Sequence, residues 1–212
     1  MNSIINNFEK LKALINNNKI NIIAVSKTFQ YDYIKPLVDY GHKHFGENKV
    51  QEAMIKWSKI KDQVPGVNLH MIGKLQSNKA KDAIKLFDYI HSLDNSKLGN
   101  LLSKFEQSLN LKRKYFIQVN VGNEKQKSGV KMEELDEFYY YCTKTLQLNI
   151  IGLMAIPPVD GNESKYFKLL MEFNQSLGLS ELSMGMSSDF REALKYETTF
   201  VRIGSAIFGN RS

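Results

Sequence analysis

The chain alternates short apolar segments with amphipathic ones along almost its whole length, and this alternation constrains its fold more than any other feature. Each apolar segment has the length of a buried strand, and the segment after it carries apolar residues at helical spacing. We predict eight strands, at 22–25, 42–46, 68–73, 88–93, 114–121, 149–156, 181–185 and 200–209. Eight strands that alternate with helices indicate the α/β class and predict a (β/α)8 TIM barrel.

One further helix precedes the first predicted strand. Apolar residues recur in it at helical spacing with charges between them, which is typical of an amphipathic helix and not of a signal peptide. They are Ile4, Ile5, Phe8, Leu11 and Ile15. No tract rich in Pro, Gly or Ser marks a linker, so we expect residues 1–212 to form a single barrel domain. We also expect a monomer.

Composition narrows the cellular setting. The single cysteine, Cys142, excludes an intrachain disulfide and a thiolate metal site, and no apolar run reaches the length of a membrane span. We therefore expect a cytoplasmic protein without a metal. The net charge of +7 comes mostly from lysines that are spread along the chain. Nucleic-acid grooves usually cluster Arg and Lys with stacking aromatic residues, so we interpret this charge as a solvated surface.

Lys27 is the first candidate for chemistry. It follows the apolar strand "IIAV", and alternation along "IIAVSK" places Ile23, Val25 and Lys27 on one face. Active sites of TIM barrels lie at the carboxyl ends of their strands. If that face is the barrel interior, desolvation lowers the pKa of the amine and favours the neutral form that makes Schiff bases. The alternative is an ordinary surface lysine.

The last two strands predict a phosphate site. "SMGMSSDF" (183–190) runs from a strand through small residues into a helix, where the Ser187 hydroxyl and the first helical N–H groups favour an anion. "RIGSAIFG" (202–209) adds Gly204 and Ser205 at the end of the eighth strand. Barrels often bind phosphate at the loops after strands seven and eight. Turns use the same residue types, so each stretch alone is weak.

A Schiff-base lysine beside a phosphate site fits either an aldolase of sugar phosphates or pyridoxal 5′-phosphate (PLP). Arg202 lies inside the apolar eighth strand and favours PLP. A guanidinium that faces the pyridine nitrogen keeps this nitrogen unprotonated, because two adjacent positive charges repel each other. The alternative for Arg202 is an ion pair with an acidic residue. The central strands "FIQVNV" and "GLMAI" lack the acidic and second lysine groups that barrel aldolases usually need.

Seven segments, in order, resemble the pyridoxal phosphate homeostasis protein family, which is related to the barrel domain of alanine racemase. They are "IIAVSKTF", "FGENKVQEA", "HMIGKLQSNKAK", "QVNVGNEKQKSGV", "IIGLMAIPP", "LSMGMSSDF" and "TTFVRIGSAIFG". The resemblance implies a fold type III PLP-binding barrel that lacks the C-terminal β domain of the racemases. One departure is Lys74, where relatives more often carry proline or another uncharged residue.

The resemblance also implies roles for individual residues. Lys27 would bind PLP covalently as a Schiff base, and Asn48 would lie beside the cofactor ring. Ser187 would hold the phosphate, together with the backbone at Gly204 and Ser205. Arg202 would face the pyridine nitrogen. No residue is assigned a catalytic role.

Other polar residues suggest ordinary structural positions. His44 and His70 fall on neighbouring strands, but no third ligand has suitable spacing for a metal, so we interpret them as barrel or rim residues with hydrogen-bond partners. His42 and His91 are interpreted in the same way. We interpret Glu47 and Glu52 as residues at a helix N-terminus and on a solvated helix face. Cys142 lies in a helical apolar stripe and is expected to be inert core.

Two functions from different classes follow. The favoured hypothesis is a carrier that holds PLP on Lys27, buffers it inside the cell and delivers it to PLP-dependent apoenzymes, without robust catalysis. The alternative is a weak amino acid racemase-like enzyme. Racemases need a second acid/base opposite the lysine. In the related racemases a tyrosine from another domain supplies this group, and we expect no second domain after the eighth strand to supply it here. A third hypothesis, nucleic-acid binding, predicts affinity that falls steeply with salt.

Overall fold

The eight strands form one closed parallel barrel. The computed structural model describes residues 2–124 and 126–209. Each strand pairs in parallel with the next one in chain order, and β8 pairs with β1. The strands are β1 (Asn21–Val25), β2 (His44–Glu47), β3 (Asn68–Met71), β4 (Tyr89–Leu93), β5 (Lys114–Val119), β6 (Asn149–Ala155), β7 (Glu181–Met186) and β8 (Phe200–Ile203). The predicted TIM barrel is confirmed.

Helices connect the strands and surround the barrel. In the described ranges they are α1 (Ser3–Ile15), α2 (Tyr31–Asp39), α3 (Val50–Trp57), α4 (Ala80–Leu86), α5 (Ser96–Leu109), α6 (Leu135–Tyr140), α7 (Glu163–Ser176), α8 (Phe190–Ala193) and α9 (Ser205–Phe208). A π-helical turn, Tyr141–Thr145, extends α6. None of these helices combines the length and the hydrophobicity that a membrane span requires.

The eighth strand is shorter than the sequence predicted. The eighth strand was expected at 200–209, but β8 ends at Ile203 and the chain then turns at Gly204 into α9. Apolar residues in a short run do not distinguish a strand from a buried helical turn, which explains the error. The consequence for the site is direct, because Ser205 begins a helix instead of extending the sheet.

The helix that precedes the barrel forms as its apolar spacing predicts. Asn2 is the N-cap of α1, and its side-chain oxygen accepts a hydrogen bond from the Ile4 amide at 2.9 Å. The buried face of α1 consists of Ile4, Phe8, Leu11 and Ile15. The helix packs against α9 and α2, which follow β8 and β1 in the chain.

The apolar core has two parts. Residues that alternate outward from the strands pack against the helices and form the larger part, which includes Trp57 and Tyr115. Cys142 also lies there, and burial raises the pKa of its thiol to about 12. The smaller part fills the barrel and consists of Ile23, Tyr89, Phe116, Met154 and Phe200. Ile23 therefore faces the interior, as the alternation along β1 predicts.

Gly152 allows β6 and β7 to pair closely. It lies opposite Glu181, and a Cβ atom at this position would be 1.9 Å from the Glu181 carbonyl oxygen. We expect Gly152→Ala to lower the free energy of unfolding by about 2–3 kcal/mol, because the added methyl group forces the two backbones apart. Urea denaturation measures this change. Gly161→Ala is the comparison: its Cβ meets nothing within 4 Å, so only the positive φ of 79° costs about 1 kcal/mol. Equal losses in both variants would contradict the prediction.

Candidate cofactor-binding site

A cavity of about 570 Å³ opens at the carboxyl ends of β1, β7 and β8. This is the end of a TIM barrel at which active sites form. Four of the six residues predicted for the site line it: Lys27, Ser187, Gly204 and Ser205. Its other lining residues are Val25, Phe29, Met186, Ser188 and Gly209. The structure therefore brings the lysine after β1 into the same cavity as the Gly and Ser residues after β7 and β8.

A strained turn presents Lys27 at the end of β1. The Phe29 amide donates to the Ser26 carbonyl oxygen at 3.2 Å, which closes the turn around Lys27 and Thr28. Thr28 has a φ of 70°, a conformation that β-branched residues rarely adopt. Strain of this kind costs on the order of 1–3 kcal/mol and persists where the surrounding structure fixes the backbone. Lys27 itself is half-buried.

A buried ion pair lies directly behind this turn. Glu47 is fully buried at the end of β2, and its Oε1 atom accepts hydrogen bonds from Ser26 Oγ at 2.7 Å and from Trp57 Nε1 at 3.0 Å. Lys56 on α3 approaches the same oxygen at 2.7 Å and donates to the Ser26 carbonyl oxygen at 2.6 Å. The interpretation of Glu47 as a helix N-terminus or solvated residue is wrong. The Glu47 side chain points outward from β2 into the layer between the strands and the helices. A carboxylate buried there needs a buried partner.

This buried cluster connects the residues that precede two of the predicted site residues, Lys27 and Asn48. Ser26 precedes Lys27 in the chain, and Glu47 precedes Asn48. Because the Ser26 hydroxyl and the Glu47 carboxylate are bonded, the positions of Lys27 and Asn48 are fixed relative to each other. This arrangement was not predicted from the sequence. The available signal was a glutamate two residues after Phe45 on the outward side of a strand, with Lys56 and Trp57 on the following helix.

Asn48 follows β2 and is half-buried, outside the described lining of the cavity. Gly73 packs against it so closely that a Cβ atom there would be 2.3 Å from the Asn48 carbonyl oxygen. Only glycine fits at this approach. The next residue, Lys74, is exposed.

Arg202 lies inside the barrel, with 4% of its surface exposed. Its Nη1 atom donates to the carbonyl oxygen of Ser183 at 2.7 Å and to Oγ of the same residue at 2.8 Å, and Nη2 donates to the Ala155 carbonyl oxygen at 2.9 Å. These partners are neutral oxygens, not a carboxylate. Burial lowers the pKa of Arg202 to about 10, against a smaller opposing effect of Asp189, so the guanidinium remains charged at neutral pH. Arg202 is paired across the sheet with Met186, which lines the cavity.

The segment after β7 reaches the cavity as a turn. The amide of Met186 donates to the Asp189 carboxylate at 2.5 Å, which folds Ser187 and Ser188 over the end of the strand. The helix that follows, α8, begins at Phe190 and has only 4 residues. The expected contribution of a helix dipole at Ser187 is therefore small, because a helix of one turn aligns few peptide dipoles.

Comparisons with known proteins identify the family. The family model of the alanine racemase N-terminal domain matches residues 1–212. The pyridoxal phosphate homeostasis protein of Aquifex aeolicus is 37% identical over 199 residues, which cover 90% of this chain and 86% of the relative. The chain belongs to the pyridoxal phosphate homeostasis protein family. The family member of Escherichia coli K12 is 34% identical over 202 residues, with 91% of this chain and 86% of the relative covered.

Solved structures agree with this family assignment. The structure of PipY from Synechococcus elongatus with PLP bound has a TM-score of 0.89 and 33% identity, and the match covers 97% of this chain and 100% of PipY. An alanine racemase of Clostridium difficile shares the fold, with a TM-score of 0.79 at 14% identity. That match covers 99% of this chain and 57% of the racemase.

Residues 2–124 and 126–209 contain no group of three or more His, Cys, Asp or Glu side chains placed to hold a metal ion. Three of the four histidines, His44, His70 and His91, instead contact one another inside the barrel. The polar side chains of the predicted site include the Lys27 amine, the hydroxyl groups of Ser187 and Ser205, and the buried Arg202 guanidinium.

Proposed function

We propose that this protein binds PLP covalently through Lys27 and takes part in PLP homeostasis, by buffering the cofactor and delivering it to apoenzymes. One observation carries the proposal. A single cavity at the carboxyl ends of the strands contains Lys27 together with Ser187, Gly204 and Ser205. The aldehyde of PLP reacts with amines, and its phosphate accepts hydrogen bonds from hydroxyl and amide groups, so the residues present suit both ends of the molecule.

The surroundings of the cavity also suit PLP. In the proposed arrangement Ser187 and the chain at Gly204 and Ser205 hold the phosphate, and Asn48 lies beside the ring. Arg202 is the only charged group in β8, and three neutral oxygens hold it in place beside Met186. It is the candidate for the contact with the pyridine nitrogen. A cation there disfavours protonation of this nitrogen.

The relatives support the same function. Two relatives that are 37% and 34% identical are pyridoxal phosphate homeostasis proteins, and PipY has been solved with PLP bound. The match to PipY extends over 97% of this chain and 100% of PipY, so the chain that binds PLP in PipY corresponds over its whole length to the barrel described above.

Carrier function is favoured over racemase activity by the ionisable groups at the cavity. Among the described residues that line it, Lys27 is the only one with an acidic or basic side chain. Inversion at the α-carbon of an amino acid requires a second acid/base on the opposite face of the substrate from the lysine. A contact of Arg202 with the pyridine nitrogen would further weaken the ring as an electron acceptor. The alternative, a weak racemase-like enzyme, would have to recruit its second base from elsewhere.

An isotope-exchange experiment separates the two functions. The PLP-loaded protein is incubated with single enantiomers of alanine and other amino acids in deuterated water. If the protein is a carrier, the α-hydrogen should exchange for deuterium no faster than in the presence of the Lys27→Ala variant. The loss of the α-hydrogen signal in the NMR spectrum measures this rate. Exchange well above the control would establish the racemase-like enzyme instead. Transfer of PLP to an added apoenzyme, faster than from free lysine adducts, is the matching positive result for a carrier.

We also infer that residues 1–212 act as one domain and as a monomer that binds one PLP. The barrel is closed by the pairing of β8 with β1, so the described residues contain no open sheet edge that could pair with a strand of a second chain. Light scattering combined with cofactor absorbance measures the mass and the stoichiometry together. A dimer with PLP shared between two chains would contradict the inference.

A further inference from the structure

Three histidines cross the interior of the barrel in one hydrogen-bonded row. Nδ1 of His44 on β2 is 2.9 Å from Nε2 of His70 on β3, and Nδ1 of His70 is 2.9 Å from Nε2 of His91 on β4. His70 and His91 are fully buried. TIM-barrel interiors are usually filled by branched apolar side chains, so three adjacent imidazoles require an explanation.

The row continues to the arginine of the proposed cofactor site. Nδ1 of His91 is 2.9 Å from Oγ of Ser183 on β7, and the same oxygen accepts a hydrogen bond from Nη1 of Arg202. At its other end, His44 lines a separate cavity at the amino ends of the strands. Four consecutive contacts of 2.8–2.9 Å therefore connect that cavity with Arg202.

Ring stacking fixes the row in place. His91 stacks on Phe116 with 4.2 Å between ring centroids, and His70 stacks on Tyr89 at 4.3 Å. Burial is the main cause that lowers the pKa of His44 to about 4 and the pKa of His70 and His91 well below the ordinary value. All three rings are therefore neutral at pH 7, and each carries one proton that can lie on either nitrogen.

Arg202 determines where these protons lie. A guanidinium only donates, so Ser183 Oγ accepts from it and directs its own proton to His91 Nδ1, the other partner of this oxygen in the described residues. His91 must then carry its proton on Nε2 and donate to His70. By the same rule, His70 carries its proton on Nε2 and donates to His44. The reverse order would leave the Ser183 hydroxyl proton without an acceptor among these contacts.

We propose that His44, His70 and His91 form a histidine relay with a single proton order, which positions Arg202 through Ser183. The proposal deepens the proposed function, because Arg202 is the candidate contact for the pyridine nitrogen. The relay residues do not touch the cofactor. They hold the Ser183 hydroxyl in the orientation in which it accepts from Arg202, and so keep the guanidinium in one position.

The first test reads the proton order in the wild-type protein. The chain contains 4 histidines and 4 arginines, so ¹⁵N-labelling of these two residue types gives few NMR signals to assign. We expect His44, His70 and His91 to be neutral at pH 7 with the proton on Nε2, with couplings across the hydrogen bonds of the row. A proton on Nδ1 of His70 or His91, or a charged ring there, would overturn the proposal.

The second test interrupts the row. His70→Phe keeps the ring and its stacking on Tyr89 but removes both hydrogen bonds. We expect rotation of the Arg202 guanidinium about its Nε–Cζ bond to become at least about tenfold faster, as loss of roughly one hydrogen bond allows. His42→Phe is the matched control: His42 is also packed against aromatic rings, but it bonds the His44 carbonyl oxygen and stands outside the row. Unchanged rotation in His70→Phe would contradict the proposal.

Neither the tautomer measurement nor the measurement of arginine rotation requires bound PLP. The experiments can therefore contradict the relay and the proposed function independently of each other. If the wild-type protein does not bind PLP, the function fails, and the tautomers and the arginine rotation still decide the relay. If PLP binds, His70→Phe should also shift the visible band of the bound cofactor, whereas His42→Phe should not. A shift of equal size in both variants would indicate a general packing effect and reject the relay.

Discussion

Lys27→Ala should abolish the visible absorption band that PLP acquires on the wild-type protein and should weaken PLP binding about 100-fold, which corresponds to about 2.7 kcal/mol. The variant keeps Ser187, Gly204 and Ser205, so the phosphate retains its partners in the cavity. We therefore expect weak, rapidly reversible binding without the covalent band. Equilibrium dialysis measures the affinity, and absorption spectra measure the covalent fraction.

The control for this variant is Lys49→Ala. Lys49 lies close in sequence to the proposed ring contact, but its side chain is 71% exposed and pairs with Glu52 on the surface. It should leave both the band and the affinity unchanged within twofold. A Lys27→Ala protein that kept the wild-type band would show that another lysine binds PLP.

Lys56→Met should lower the free energy of unfolding by about 3–5 kcal/mol, because it leaves the fully buried Glu47 carboxylate without its cation. The other oxygen of this carboxylate, Oε2, already has no hydrogen-bond partner in the described part of the chain. The variant should also bind PLP more weakly, since Glu47 and Ser26 position Lys27 and Asn48. Urea denaturation and PLP titration below the unfolding transition measure the two effects.

A double variant separates the cost of an unpaired buried charge from the loss of the other hydrogen bond that Lys56 makes. Glu47→Gln/Lys56→Met removes both charges and keeps an oxygen that accepts from Ser26 and Trp57, so it should recover most of the lost stability. The exposed pair gives the comparison, because Lys49→Met should change stability by less than about 0.5 kcal/mol. A double variant as unstable as Lys56→Met alone would show that the hydrogen bond from Lys56 to the Ser26 carbonyl oxygen, and not the pairing of the two charges, stabilises this region.

Periodicity was sufficient to predict the barrel. The eight apolar segments became eight strands, because strands that are covered on both faces carry continuous apolar runs. The same criterion failed after Ile203, where the run "SAIF" forms the helical turn α9. An apolar segment of this length satisfies either conformation, and the packing of α9 on α1 decides between them.

The site was predictable to the extent that it follows the strand ends. Lys27, Ser187, Gly204 and Ser205 meet in one cavity because β1, β7 and β8 are adjacent in the closed barrel. Arg202 was predicted to face the interior, but its partners were not, since backbone carbonyl oxygens leave no mark in a sequence.

The interactions that support the site were not predictable in this way. Glu47 and Lys56 are 9 residues apart on different elements, and the histidines of the relay come from three different strands. Polar residues of this kind usually lie on the surface. Only the packing of α3 on β2 brings Glu47 and Lys56 together, and only the pairing of β2, β3 and β4 brings the three histidines together inside the protein.

The central claim is that Lys27 is the residue that binds PLP. Borohydride reduction of the PLP-loaded protein fixes the bond between the cofactor and its lysine, and peptide mass mapping then locates the modified residue. We predict one pyridoxyl group per chain, on Lys27, with the exposed lysines unmodified at stoichiometric PLP. Modification of a different single lysine, or modification scattered over the surface lysines, would contradict the account.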